Sequence, residues 1–295
     1  MAKQDSLQRL LHIANRIKQS PASFNEISDY LLKQEEVTGG SYRISKRTFQ
    51  RDLELIRSMY KIDIEFDFSR KEYHFQGEEV PDSNVRMLEA FNMFNALNTA
   101  EGLAEYIQFE KRRPQGVDNL YGLLHSIKQR LQIKFLYHKY QDDTFTNRKI
   151  EPYALKEFKN RWYVVGKDTD DDAIKSFGLE RLSQLEITKK NFSKSIFNPD
   201  KYFEHCFGIV APYDKSEPEN IILSVDPLKW QYLKSLPIHT SQNCIFENEK
   251  EVQISLKLYI TYDLEIELLS HGNQIRVIEP KRLDEILKEK RYKGL

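Results

Sequence analysis

The sequence predicts a multidomain α+β protein: a winged helix-turn-helix, a helical linker, a small β-barrel of the SH3 or Sm type, and a C-terminal α+β domain. Three observations predict it. Apolar residues recur at helical spacing in three segments before residue 60 and then switch to period two. Five short apolar stretches separated by turn residues fill about 131–190. Strand-like and helix-like segments then alternate to the end of the sequence. The 295 residues amount to about two domains at ~150 residues each, with room for three small ones.

The first 77 residues justify the winged helix. Leu7, Leu10, Leu11, Ala14 and Ile17 form one helical face, and Pro21 ends that helix. Ser23-Phe24-Asn25-Glu26 is a capping-box pattern. Ile27, Tyr30 and Leu31 mark the second helix, and Thr38-Gly39-Gly40 is a loop. Ser45 caps a third helix with Phe49, Leu53 and Ile56 inward. Ile62, Ile64, Phe66 and Phe68 alternate before Ser69-Arg70-Lys71, and Tyr73 and Phe75 follow, which predicts a β-hairpin. The third helix opens on Ser45, Lys46, Arg47, Thr48, Phe49, Gln50 and Arg51. Between Ser41 and Arg51 there are four basic residues and no acidic one, a local charge of +4.

In a helix-turn-helix the start of this helix enters the major groove. Arg reads guanine, Gln reads adenine, and Ser, Thr and Lys hold phosphates. Ser45, Lys46, Arg47, Thr48, Gln50 and Arg51 are therefore the candidate DNA contacts, and double-stranded DNA is the expected partner. The alternative is a solvated basic face on a structural helix. Asp52 and Glu54 are expected to face the scaffold or neighbouring basic groups. The hairpin carries Asp63, Glu65, Asp67 and Glu72, so its contact with DNA is confined to Arg70 and Lys71 at the tip.

Residues 78–130 are the expected helical linker. Gly77 to Asp82 is polar. A helical pattern runs from Asn84 to about Gln108, Lys111-Arg112-Arg113-Pro114 breaks it, and a further helix spans about Val117 to Gln129 with Leu120, Leu123, Leu124 and Ile127 inward. These helices either connect two domains and supply a dimer surface or pack onto the following domain.

Composition narrows the function. Lys+Arg and Asp+Glu are both 45, so the net charge is 0, with 31% charged and 40% hydrophobic residues. That is a soluble globular composition; disorder and collagen-like repeats are excluded. A basic surface on a neutral chain has to be local. No run approaches the ~18 apolar residues of a membrane span, and no signal-peptide core follows Met1. Cys206 and Cys244 stand far apart, in no metal spacing, which suits a reducing cytoplasm and two small apolar thiols. The sequence has no G-x-G, no phosphate-loop motif, no H-E-x-x-H and no G-x-S-x-G. Asp142-Asp143 and Asp170-Asp171-Asp172 fall in turn-like segments. No catalytic residue, metal site or cofactor is expected, and no enzyme activity.

Residues 131–195 carry the strands of the barrel. Ile133, Phe135 and Tyr137 alternate; Ile150 to Leu155, Asn160 to Gly166, Ile174 to Leu182 and Leu185 to Ile187 follow. Arg148, Arg161 and Arg181 are interleaved here with Tyr137, Tyr153 and Tyr163. Arg forks recognise phosphate or carboxylate, and aromatics beside them allow base stacking.

These segments resemble a known family. "F-L-Y" at 135–137, "R-K-I-E-P-Y-A-L" at 148–155, "R-W-Y-V-V-G" at 161–166 and "F-G-L-E-R-L-S-Q-L" at 177–185 resemble the WYL domain in order and spacing. The naming tripeptide is Trp-Tyr-Val here, and "L-E-R-L" stands where "L-D-R-I" is usual. "S-K-R-T-F-Q-R-D-L" with the hairpin ending "E-Y-H-F" resembles the DeoR-like winged helix that precedes WYL domains in transcriptional regulators. The resemblance implies a ligand-sensing domain with a nucleotide or single-stranded nucleic acid as leading candidates. It implies Tyr137, Arg148, Tyr153, Tyr163 and Arg181 as the ligand residues. Trp162 reads as core. For Arg148 and Arg181 the alternative is an ion pair with Glu151 or Glu180.

Residues 196–295 read as strand, helix, strand, helix, strand, helix. The strands are Ile221 to Val225, Val252 to Leu258 and Ile275 to Ile278; the helices are Leu228 to Leu233, Tyr262 to Leu269 and Lys281 to Lys290. The region resembles the extension that follows many WYL domains. The expected protein is a homodimeric regulator whose winged helices read half-sites ~34 Å apart, with the WYL domain shifting operator affinity through a small anionic or nucleic-acid ligand. The alternative is an accessory module that binds RNA or single-stranded DNA and regulates a partner enzyme.

Overall fold

The computed structural model describes residues 2–76, 89–90, 93, 116–193, 196–212 and 216–292. The chain divides into two units, Met1–Glu110 and Lys111–Leu295. The expected helix from Asn84 to Gln108 and the Lys111-Arg112-Arg113 run lie outside the described residues, apart from Glu89, Ala90 and Met93, which are helical.

In the first unit, α1 spans Ala2–Gln19, α2 Phe24–Thr38 and α3 Lys46–Tyr60, followed by the strands β1 Ile64–Asp67 and β2 Glu72–Phe75. The capping box forms: Ser23 N donates to Glu26 Oε2 at 2.7 Å, and Glu26 N donates to Ser23 Oγ at 3.3 Å. Ser45 caps α3 by accepting from Thr48 N at 3.1 Å. Leu10, Ile13 and Ile17 from α1, Ile27 and Leu31 from α2, and Phe49 and Ile56 from α3 form one buried core. Full burial of each such Leu or Ile contributes about 1.5–3 kcal/mol. β1 and β2 pair antiparallel from Ile64↔Phe75 to Asp67↔Glu72. Tyr73 also exchanges two backbone hydrogen bonds with Ala22, at 3.0 and 2.8 Å, which ties the hairpin to the α1–α2 turn. Phe68 leaves the expected alternation. The Asp67 carboxylate accepts from Ser69 N at 2.7 Å and Arg70 N at 3.2 Å. This turn ends the strand and leaves Phe68 85% exposed.

In the second unit, a short 3-10 turn, Val117–Asn119, leads into α4, Leu120–Gln129. Five strands follow: β3 Leu131–Lys139, β4 Thr144–Phe158, β5 Arg161–Asp168, β6 Ile174–Gly178 and β7 Leu182–Asn191, with a 3-10 turn, Leu179–Arg181, between the last two. All neighbours are antiparallel, in the order β6-β5-β4-β3-β7. The last strand returns beside the first, so the sheet is built from both ends of the segment. α4 packs on β3, β4 and β7, with Leu123 and Ser126 buried. Leu124, expected inward, is 51% exposed, because Leu123 and Ser126 occupy the sheet-facing positions. Ile133, Phe135, Tyr137, Ile150, Val164, Phe177 and Leu179 make the core, with Trp162 part-buried against it.

Gly116 sets the entry to this unit. Its φ is 78°, and a Cβ there would lie 2.4 Å from the Leu179 carbonyl carbon and oxygen. Gly116→Ala combines a left-handed backbone with a clash against main chain. It is expected to cost at least about 2 kcal/mol of stability. An unchanged unfolding midpoint in denaturant would show that neither constraint operates.

The remainder comprises α5 Pro199–Phe203, β8 Glu219–Val225, α6 Pro227–Ser235, β9 Asn243–Glu247, β10 Val252–Leu258, α7 Tyr262–Ser270, β11 Ile275–Glu279 and α8 Lys281–Tyr292. The sheet order is β11-β8-β10-β9. All three expected strands and all three expected helices form. β9 and α5 are additional. β9 carries its apolar Ile245 and Phe246 exposed, without the alternation that marks a half-buried strand.

Side chains join this part to the five-stranded sheet. Asp263, at the start of α7, accepts from Ile209 N at 2.9 Å and Val210 N at 3.2 Å, and Ser176 of β6 donates to Ile209 O at 3.3 Å. Lys159, between β4 and β5, donates to Glu267 Oε2 at 2.6 Å. The His271 ring nitrogen, 3.4 Å from its carboxylate, and the Lys159 ammonium act against the penalty of burial and hold the Glu267 carboxyl down at about 2. The carboxylate therefore favours the folded state above its ordinary value of 4.5, and that contribution is lost as pH falls toward 2. Glu267→Gln is expected to unfold at lower temperature than the wild type at neutral pH. The difference should narrow on acidification below 4.5; a pH-independent difference would contradict the linkage.

Candidate functional site

Two groups of the expected residues can be placed. The first is the start of α3. Lys46, Arg47, Gln50 and Arg51 are exposed, Ser45 is exposed at the cap, and Thr48 is half-buried. Ser45 Oγ and Thr48 Oγ1 lie 2.9 Å apart, so both hydroxyls serve the cap. Lys46, Arg47 and Arg51 make no ion pair among the described residues. Arg43 differs: it lies 3.6 Å from Glu35, whose carboxylate also accepts from Arg43 N at 2.9 Å. The Gln50 side chain lies by the Tyr73 hydroxyl in the hairpin and offsets part of the upward push of burial on it.

Asp52, on the opposite face of α3, is fully buried. It accepts from Arg9 Nε at 2.7 Å and Arg9 Nη2 at 3.0 Å. The acid on this helix is thus neutralised by α1, and the outward face keeps its positive charge. At the hairpin tip, Arg70 lies 3.9 Å from Asp67, and Lys71 is exposed in a left-handed conformation with φ 58°.

The second group lies in the five-stranded sheet, and the structure splits it into three places. Tyr137, Tyr163 and Arg181 come together. Tyr137 and Tyr163 are both 7% exposed. The Tyr137 hydroxyl accepts from Gly178 N at 3.4 Å, and Gly178 is the register partner of Tyr163. The Arg181 guanidinium sits 4.9 Å from the Tyr137 ring centre and 5.5 Å from that of Tyr140. Glu180, its carboxylate 10% exposed, receives Arg161 Nη1 at 2.7 Å and lies 3.7 Å from Arg181 Nε. Arg181 Nε and Glu180 Oε2 are buried with no hydrogen-bond partner among the described residues. Burial raises both tyrosine hydroxyls above their ordinary value, with Arg181 opposing it at each.

Arg148 stands elsewhere. It shares the Phe135 side of the sheet, where its Nη1 meets the fully buried Asp168 at 3.1 Å. Lys175 Nζ reaches the same carboxylate oxygen at 2.8 Å. The alternative to a ligand role for Arg148 is an ion pair with Glu151, a near neighbour in sequence; the acid it meets is Asp168. The partner is twenty residues away because β4 and β5 pair Ile150 with Asp168.

Tyr153 forms a third place. Its hydroxyl donates to Glu151 Oε2 at 3.1 Å, and its ring lies 5.7 Å from Phe192 and 5.4 Å from Phe197. The structure therefore does not gather the five residues into one pocket. Arg161, Glu180 and Tyr140 join the Tyr137 group instead. Arg161 was visible as part of the interleaved Arg and Tyr pattern, and Glu180 as the alternative ion-pair partner of Arg181; Tyr140 carried no local signal for that position.

The five residues all fall within one recognised stretch. Residues 118–187 match the WYL domain. The match begins in the 3-10 turn ahead of α4, so the helix packed on the sheet is part of the WYL domain, and it ends inside β7. Curated relatives include Protein PafB of Mycobacterium tuberculosis, 33% identical over 69 residues, which are 23% of this chain and 21% of that protein. Protein PafB of Mycobacterium leprae is 33% identical over 60 residues, 20% of this chain and 18% of that protein. The chain thus spans about a fifth of the length of the curated relatives it matches.

Among solved structures, proteasome accessory factor B/C (PafBC) of Arthrobacter aurescens is 17% identical with a TM-score of 0.35, covering 96% of this chain and 45% of that one. A CRISPR Cas-related protein is 13% identical with a TM-score of 0.42, covering 99% of this chain and 84% of that one. Among the described residues, no helix is long and apolar enough to cross a membrane.

Proposed function

We propose that the protein is a DNA-binding transcriptional regulator, with residues 1–77 as a winged helix-turn-helix. The carrying observation is the face of α3 on which Lys46, Arg47 and Arg51 stand exposed without an ion partner among the described residues, while Asp52 is drawn inward by Arg9. Three helices and a hairpin docked on the α1–α2 turn support that reading. Ser45, Lys46, Arg47 and Thr48 take phosphates and base edges at the helix start, and Gln50 and Arg51 follow one turn on. The protein acts as a homodimer reading two half-sites. Residues 78–117, ahead of the WYL match, and the α+β part at 196–295 are its linker and C-terminal extension.

The WYL domain, with its five strands over 131–195 curled as a small barrel, is the sensor. Tyr137, Tyr163 and Arg181 are its anion-binding centre, with Arg161 beside them. Arg181 Nε, buried and without a hydrogen-bond partner among the described residues although 3.7 Å from Glu180, has a donor to offer a phosphate or carboxylate, and the tyrosine faces offer stacking. In this reading Arg148 organises the domain from Asp168, and Tyr153 stands apart. Ligand binding shifts operator affinity by differential affinity for two dimer states.

The test is binding of the purified protein to its own promoter fragment, against an unrelated duplex and a single strand, at two salt concentrations. Preference for its own duplex by ~10³-fold or more supports the regulator. Equal, steeply salt-dependent binding to both duplexes with tighter single-strand binding supports instead a module that binds RNA or single-stranded DNA and regulates a partner enzyme. The Arg–Tyr cluster of the WYL domain is the observation that favours that second reading.

A further inference from the structure

A groove of about 390 Å³ opens on the WYL domain where the end of α4 meets β4 and the segment after β7. Ile127 and Pro152 line it with apolar groups, and Tyr153, Phe192 and Phe197 line it with aromatic rings. Lys128 and Arg130 supply two cations on the same groove. Phe192 N donates to Arg130 O at 3.0 Å, so the aromatic wall and the basic end of the helix are held together by main chain. The Tyr153 ring stands between Phe192 and Phe197, inclined by 60° to the first and by 32° to the second.

Glu151, the acid bonded to Tyr153, accepts from Tyr153 Oη at 3.1 Å and from Gln132 Nε2 at 3.3 Å and makes no ion pair with either cation of the groove among the described residues. Lys128 and Arg130 make no ion pair among the described residues. An open groove of this size, with aromatic faces and two convergent cations, has features of a small-molecule site. Two cations outside any ion pair among the described residues favour an anion, and three aromatic rings favour a flat one.

We propose that this groove binds a small planar aromatic anion, and that it is separate from the Tyr137–Tyr163–Arg181 cluster. Aromatic faces hold the ligand's ring, while Lys128 and Arg130 hold its acidic group. The proposal is independent of DNA binding and of any ligand at Arg181.

Anilinonaphthalene sulfonate is a suitable probe, with the uncharged N-phenylnaphthylamine as its control. Both are followed by fluorescence with the full chain. The variant is Lys128→Ala/Arg130→Asn; asparagine suits position 130 because Arg130 has a φ of 56°. Lys134→Ala, an exposed lysine on β3, is the control for loss of charge alone. The double variant is expected to weaken the sulfonate by about tenfold or more while leaving the neutral dye unchanged. Phe192→Ala is expected to weaken both dyes, and Lys134→Ala neither. Wild-type affinity for the sulfonate in the double variant, or equal loss of both dyes from it, would overturn the proposal.

Discussion

Lys46→Ala/Arg47→Ala/Arg51→Ala is expected to abolish specific duplex binding while leaving the fold intact. All three side chains are exposed and make no ion pair among the described residues, so their removal exposes no buried partner. Base contacts are worth about 1–3 kcal/mol each. Loss of three positions at the start of α3 therefore predicts a fall in affinity of about 100-fold or more. If all three neutralise phosphates, the slope of log affinity against log salt should also flatten by about 3. Gln50 is expected to contribute less, since its amide lies by Tyr73 of the hairpin. Titration of a labelled promoter fragment at several salt concentrations reads both quantities. A variant with the wild-type affinity and slope would remove α3 as the DNA-reading element.

Asp168→Ala is expected to be the most damaging single substitution in the second unit. Its carboxylate is fully buried, and the Arg148 and Lys175 side chains that meet it are only 19% and 20% exposed. Asp168 Oδ1 also accepts from Asp170 N at 3.1 Å, which shapes the turn after β5. Removing the anion leaves a part-buried guanidinium without its partner. Breaking a buried pair in this way typically costs about 3–5 kcal/mol. Replacing both partners by apolar residues, as in Arg148→Met/Asp168→Leu, is expected to recover part of that loss, because no unpaired guanidinium then remains. Urea unfolding of the three proteins is the measurement. A single variant as stable as the wild type would mean that solvent already screens the pair. The same geometry bears on ligand recognition: Arg148→Ala should change stability more than ligand affinity, whereas Arg181→Ala should do the reverse.

Much of the fold was legible because it rests on local rules. Ser23 with Glu26, and Ser45 before a basic helix, announce helix starts through backbone donors that need capping. Val252, Ile254, Leu256 and Leu258 announce a strand because alternate side chains share a face. β9 was illegible for the converse reason: Ile245 and Phe246 are adjacent and both exposed, so no period marks the strand. Phe68 misled in the other direction. Its place in the alternation suggested burial, but the Asp67 turn had already ended the strand.

The candidate sites divide along the same line. The charge excess at the start of α3 was determined by the sequence, and Ser45 placed it at a helix N-terminus, because a cap acts over three residues. The sequence also determined the WYL stretch and the wealth of Arg and Tyr within it. Only the tertiary structure decided which of those residues meet. β4 and β5 set Ile150 opposite Asp168 and so carry Arg148 to a buried acid. β5 and β6 set Tyr163 opposite Gly178 and so bring Tyr163 to Tyr137, with Arg181 above it. Strand register fixes these neighbours through hydrogen bonds between residues far apart in the chain, and no spacing along the sequence encodes them.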